Sequence, residues 1–169
     1  GYDWLITAFI ILVLSVGTLI IFMKYKLISD WDITKREQRP KVLALICVYL
    51  VILTMVTIYL GYTRAGPILM LMTTGMIFAS FITLFWKISF HTFTVTLLVM
   101  ILFITYKSPL ILPLLIIPLI TAWTRIYLKK HTWKQALGGI LLGLVVGGMW
   151  LVISFLVILS IFEFLIRWV

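Results

Sequence analysis

Two histidines and a set of basic residues carry the chemical potential of this sequence. His131 lies six residues after Arg125 and four before Gln135, within TRIYLKKHTWKQ (Thr124 to Gln135). His91 lies two residues after Ser89, within WKISFH (Trp86 to His91). Lys35 and Arg39 belong to the longest polar stretch, KYKLISDWDITKREQRPK, residues 24–41. A neutral imidazole can attack phosphorus, and a protonated imidazole can donate to a leaving oxygen. Arginine presents a planar fork of donors that matches phosphate oxygens. These types together suit phosphate handling. Two histidines without a paired carboxylate cluster make a poor zinc or magnesium site, so no metal and no cofactor are expected.

The elements that must position these groups follow from composition. Of 169 residues, 64% are hydrophobic and 11% charged, and the mean hydropathy is +1.24. A soluble domain cannot hide that much apolar surface, and a disordered chain would not contain it. The single cysteine, Cys47, excludes an intramolecular disulfide scaffold. The expected class is an all-α polytopic membrane protein, a six-helix transmembrane bundle in a single domain. Its spans are expected at about 5–23, 42–62, 68–85, 88–106, 109–128 and 136–165. The strictly apolar parts of the fourth and fifth, 92–106 and 110–122, are too short for a ~30 Å hydrocarbon core. They reach it only if the helices extend into the polar patches. Ser89, His91 and Arg125 are therefore expected on helix ends at the interface. Gly66 and Pro67 read as a turn, and Pro113 and Pro118 as kinks in the fifth helix. No basic n-region precedes the first apolar run, so no cleavable signal peptide is expected.

With six spans, the connections 1–2, 3–4 and 5–6 face one side. That side holds eleven of the 14 lysines and arginines and both histidines. The positive-inside rule then places these segments in the cytoplasm and both termini on the opposite side. The net charge of +9 points to anionic lipid headgroups, the positive-inside bias or an anionic substrate, and not to nucleic acid. Lys129, Lys130 and Lys134 read as interfacial anchors, and Trp4, Trp31, Trp86, Trp123, Trp133 and Trp168 as aromatic belts near span ends. Gly139, Gly143 and Gly147 recur every fourth residue and permit close helix approach. Tight packing inside one bundle is favoured for them over an oligomer contact.

The polar segments resemble the motifs of the type 2 phosphatidic acid phosphatase superfamily. Its third motif is SR, five residues, H, three residues, D. Thr124, Arg125, His131 and Gln135 stand at those four positions. Its second, PSGH, is similar to Ile88-Ser89-Phe90-His91. Its first, K, six residues, RP, is similar to Asp32 through Arg39-Pro40. The resemblance spans Asp32 to Gly139 in order. It implies that His131 is the nucleophile, forming a phosphohistidine, and that His91 is the acid. Arg39, Arg125 and Ser89 would bind phosphate, with Lys35 as a substitute cation for the missing lysine. Gln135 would orient His131. The implied substrates are lipid phosphates or polyprenyl diphosphates, hydrolysed or transferred without metal.

Three departures weigh against full activity, and a fourth concerns the layout of the motifs. Gln135 accepts a hydrogen bond but cannot stabilise an imidazolium as a carboxylate does. Phe90 replaces a glycine and is expected to narrow the pocket. Asp32 replaces a phosphate clamp with a repelling charge. Two spans also separate the first and second motifs, where much of the family keeps them in one loop. The alternative reading is a catalytically impaired relative that binds anionic lipid or serves as a membrane interaction protein.

Overall fold

A computed structural model describes residues 3–31, 33, 35–63 and 65–166. Asp32 and Arg64 lie outside them, as do Arg167 and Trp168. The described chain is helical, with no strand among the described residues. Helix α1 is Asp3–Lys24. A 3-10 turn, Arg36–Gln38, leads into α2, Arg39–Tyr59. Helix α3 is Ala65–Phe85 and α4 is Phe90–Tyr106. A 3-10 segment, Pro109–Leu115, runs into α5, Ile116–Tyr127, and α6 is Trp133–Ile166.

Four stretches are long and apolar enough to cross a membrane: Arg36–Tyr59, Ala65–Phe85, Pro109–Tyr127 and Trp133–Val157. Two shorter apolar helices, Phe9–Lys24 and Phe90–Tyr106, accompany them. Large apolar side chains such as Met55, Phe81, Leu141 and Phe155 are exposed on the outer faces. Such surfaces are those of a membrane-embedded protein, where lipid replaces water as the surrounding medium.

Several boundaries differ from those expected, and proline explains those at the starts of α2, α3 and α5. Pro40 sits in the first turn of α2, so that helix starts at Arg39 and includes the arginine. Gly66 and Pro67 lie inside the first turn of α3 and do not break it. First-turn N–H groups have no intrahelical acceptor, so a proline there loses no bond. The chain reverses instead around Gly61, at φ 71°. The kinks expected at Pro113 and Pro118 take a different form. Pro113 lies within the 3-10 segment, and Pro118 is buried in the first turn of α5.

Two helix pairs organise the bundle. Along α6, a Cβ at Gly139 would meet Thr92 and, at 2.5 Å, the carbonyl oxygen of Ser89. Gly143 faces Thr96 in the same way. The stripe, which continues through Gly147 against Met100, is thus packed against α4 within the chain. The second pair, α2 and α3, is joined by Thr54 Oγ1 and Thr73 Oγ1 at 2.8 Å. Leu71 and Ala79 of α3 share an apolar core with Ile88, Phe93, Leu97, Ile101 and Val146, which ties the pairs together.

Three connections meet at one end of the bundle. Arg36 Nη1 donates to the Phe85 carbonyl at 2.9 Å, and Arg39 Nη1 to that of Ile88 at 3.1 Å. The Ser89 N–H donates to the Gln135 carbonyl at 3.1 Å. These bonds bring together the connections after α1, α3 and α5.

Candidate functional site

The spacing from Arg125 to Gln135 is produced by two helix-end devices placed back to back. Helix α5 ends in a Schellman turn. The Lys130 N–H donates to the Arg125 carbonyl at 3.1 Å and the Lys129 N–H to that of Ile126 at 2.9 Å. Lys129 takes the left-handed conformation, φ 54°, that this turn requires. The His131 N–H then also reaches the Arg125 carbonyl, at 3.3 Å. Helix α6 begins directly with a capping box. The Gln135 N–H donates to Thr132 Oγ1 at 3.4 Å, and the Thr132 N–H to Gln135 Oε1 at 3.2 Å.

This capping box selects the tautomer of neutral His131. A backbone N–H can only donate, so the amide atom facing Thr132 is the oxygen of Gln135. That same Oε1 lies 3.2 Å from His131 Nδ1. An amide oxygen only accepts, so Nδ1 carries the proton and donates to it. In the neutral ring, Nε2 is therefore the nitrogen with the free lone pair.

Electrostatics keep the ring neutral. His131 is 7% exposed. Burial, followed by the charges of Arg39 and Lys87, lowers its pKa to about 4. The Gln135 bond pulls the other way and Arg125 lowers it further. The Lys87 ammonium is itself held below the ordinary lysine value by burial first and then by Arg39. Asp30 opposes that shift, while Lys130 and Arg125 add to it.

Arg39 and Ser89 are built into the wall of this end. Arg39 is 4% exposed. Its Nε donates to the Ile33 carbonyl at 2.9 Å, in addition to the bond to Ile88. Its guanidinium lies 5.8 Å from the centre of the Phe90 ring. Phe90 therefore serves as a platform for the arginine. Ser89 is fully buried and caps α4, its Oγ accepting from the Thr92 N–H at 3.4 Å. Thr92 Oγ1 bridges the Ser89 and Ala136 carbonyls, at 3.0 Å to each.

Beside His131 lies an open cavity of about 420 Å³, lined by Thr132, Gln135, Ile126, Lys87, Lys129 and Lys130 as well. A neutral nucleophile beside several cations suits an anion that carries an electrophilic centre. Among the described residues, no cluster of three histidines, cysteines or carboxylates is placed to hold a metal ion.

Of the residues singled out from sequence, Arg39, Ser89, Arg125, His131 and Gln135 converge at this end. Lys35 is exposed where the first 3-10 turn begins. His91 is exposed on the first turn of α4 and is not part of the cavity lining. Thr124 bonds along its own helix, to the Ile120 carbonyl at 2.8 Å, and does not face the site. Asp32 lies outside the described residues. Sequence reasoning missed Lys87 and Thr132. A lone lysine in a short loop carries no spacing signal. Thr132 did carry one: threonine, two residues, glutamine, before an apolar run is the capping-box signature. No protein-family model, curated protein or solved structure matches the chain.

Proposed function

We propose that this chain is a six-helix integral membrane phosphatase or phosphotransferase. It would be a divergent relative of the type 2 phosphatidic acid phosphatases and act on a lipid phosphate or polyprenyl diphosphate. The observation that carries the reading is His131: neutral, pinned through Nδ1 by Gln135, and set among Arg39, Lys87 and Arg125. Its Nε2 lone pair attacks phosphorus, and the bond from phosphorus to the lipid oxygen breaks. The resemblance gives the leaving oxygen's proton to His91, which lies outside the cavity lining and would deliver it through water. Water then attacks the phosphohistidine, gives its proton back to His91 and releases phosphate. Arg39 and Arg125, which lie outside the cavity lining, favour the charge that builds on the phosphoryl oxygens through their field and not by direct contact. Exposure of His91 at the helix end suits a group that must exchange protons with water. The bundle holds the lipid tail while the basic end, on the cytoplasmic side by its charge bias, holds the headgroup.

A second reading has its own support. Gln135 is fully explained as a helix cap, and it offers His131 no charge. A non-catalytic protein that binds anionic lipid at the same basic end fits that observation.

Phosphate release decides between them. The substrates are phosphatidic acid, phosphatidylglycerol phosphate and a polyprenyl diphosphate, in detergent with EDTA. The enzyme reading expects release that falls roughly 10⁴-fold or more in His131→Ala. No release from any substrate, or release unchanged by the substitution, overturns it.

A further inference from the structure

We propose that Lys87 binds the anion directly, its ammonium meeting the phosphoryl oxygens in the cavity beside His131. The inference rests on the reading of that cavity as an anion site, and not on whether the bound lipid is hydrolysed.

Position is the first ground. Lys87 occupies the short connection between α3 and α4, and its neighbours fix its backbone. The Trp86 N–H closes α3 on the Ile82 carbonyl at 2.8 Å. Ile88 is buried in the core, and the Ser89 N–H is bonded to the first turn of α6. From this fixed point the side chain crosses to the α5–α6 connection, where Nζ donates to the Lys130 carbonyl at 3.3 Å. An ammonium has three N–H donors, and this bond uses one.

Comparison with the neighbouring cations is the second ground. Arg39 commits Nε and Nη1 to the carbonyls of Ile33 and Ile88 and is nearly closed off from solvent. Neither Arg39 nor Arg125 lines the cavity. Lys87 does line it, and its charge acts on His131. Lys87 thus combines access to the cavity with electrostatic reach to the candidate nucleophile. Arg39, Lys130 and Arg125 in turn act on Lys87. The fold holds these cations together against their mutual repulsion, and an anion among them is attracted by each.

The competing account is structural: Lys87 merely staples two loops. Inorganic phosphate, titrated into the detergent-solubilised protein at pH 7, separates the accounts. Binding is followed by the NMR shift of the His131 ring, assigned with His131→Ala. Lys87→Met is expected to weaken phosphate binding about tenfold, the loss of one charge-assisted contact. Lys87→Arg should stay within about threefold. Lys87→Gln, which keeps a donor for the Lys130 carbonyl but no charge, should weaken binding as methionine does. It also serves if Lys87→Met does not fold. Wild-type affinity in Lys87→Gln, or a wild-type protein that shows no phosphate-dependent shift, overturns the proposal. Phosphate binding that depends on Lys87, with no cleavage of any lipid phosphate, leaves this inference standing and removes the catalytic one.

Discussion

Helices α4 and α6 touch through backbone, whereas α2 and α3 touch through side chains. In the first pair, Gly139 and Gly143 bring α6 onto Thr92, Thr96 and the Ser89 carbonyl. In the second, Thr54 and Thr73 hydrogen-bond each other, Thr54 also bonds back to the Leu50 carbonyl, and Thr73 reaches that carbonyl across the pair. A side-chain contact tolerates small shifts, because rotamers and alternative acceptors absorb them. A backbone contact does not, because an added atom must push the helices apart. The closer seam is the one that carries the site. It joins Ser89 to the first turn of α6, one helical turn from His131. The pair that carries the start of α6 is seated on glycine, and the pair that brings Arg39 to the same end is joined by threonines.

Gly139→Ala should have the largest effect. Its Cβ would meet a backbone carbonyl and a β-branched side chain, neither of which can swing away. A loss of about 2–3 kcal/mol is expected from such overpacking, together with loss of any lipid phosphatase activity. Gly148→Ala is the control, since a Cβ there has nothing within 4 Å. Thermal unfolding in detergent measures both. Equal Tm values for the two variants would break the comparison.

The pH dependence of stability ranks second. His131 has a folded pKa of about 4, against about 6.5 in an unfolded chain. Between these values the unfolded chain takes up a proton that the folded chain refuses. Stability should therefore fall as pH drops from about 6.5 to about 4, and this contribution should level off below that. The linkage relation sets an upper limit of about 3 kcal/mol on the loss across the window, and solvent screening reduces it. His131→Asn keeps a donor for Gln135 and removes the titration, so the difference between its pH–stability curve and that of wild type isolates the histidine. Superimposable curves would show that the ring is not buried as described.

Thr73→Val should do least. An interhelical side-chain bond in a membrane protein contributes about 0.6 kcal/mol on average, and any phosphatase activity should be unchanged. A cost as large as that of Gly139→Ala would erase the distinction between the two pairs.

The apolar runs were legible because a helix in lipid needs a length and composition that few other structures share. The connections after α1, α3 and α5, which hold most of the basic residues, meet through bonds of Arg36, Arg39 and Ser89. What escaped was local. Proline reads as a breaker in sequence, yet Pro40 and Pro67 occupy first turns, where a missing N–H has no consequence. The 3-10 form of Pro109–Leu115 depends on where each proline falls in the turn, which periodicity does not report. Gln135 was read for its chemistry alone, although its spacing from Thr132 already described a helix start. Lys87 acquires meaning only when the α3–α4 and α5–α6 connections lie side by side, a juxtaposition set by the glycine seam.

The trio of Thr132, Gln135 and His131 holds together without a formal charge at neutral pH. Dissolved salt screens charges over about 8 Å at physiological ionic strength. It acts on the attraction between the surrounding cations and an anion, and has no purchase on the bonds that aim the imidazole. Raising ionic strength therefore titrates away the pull on a ligand while the ring keeps its orientation, so capture and alignment can be varied one at a time in the same protein.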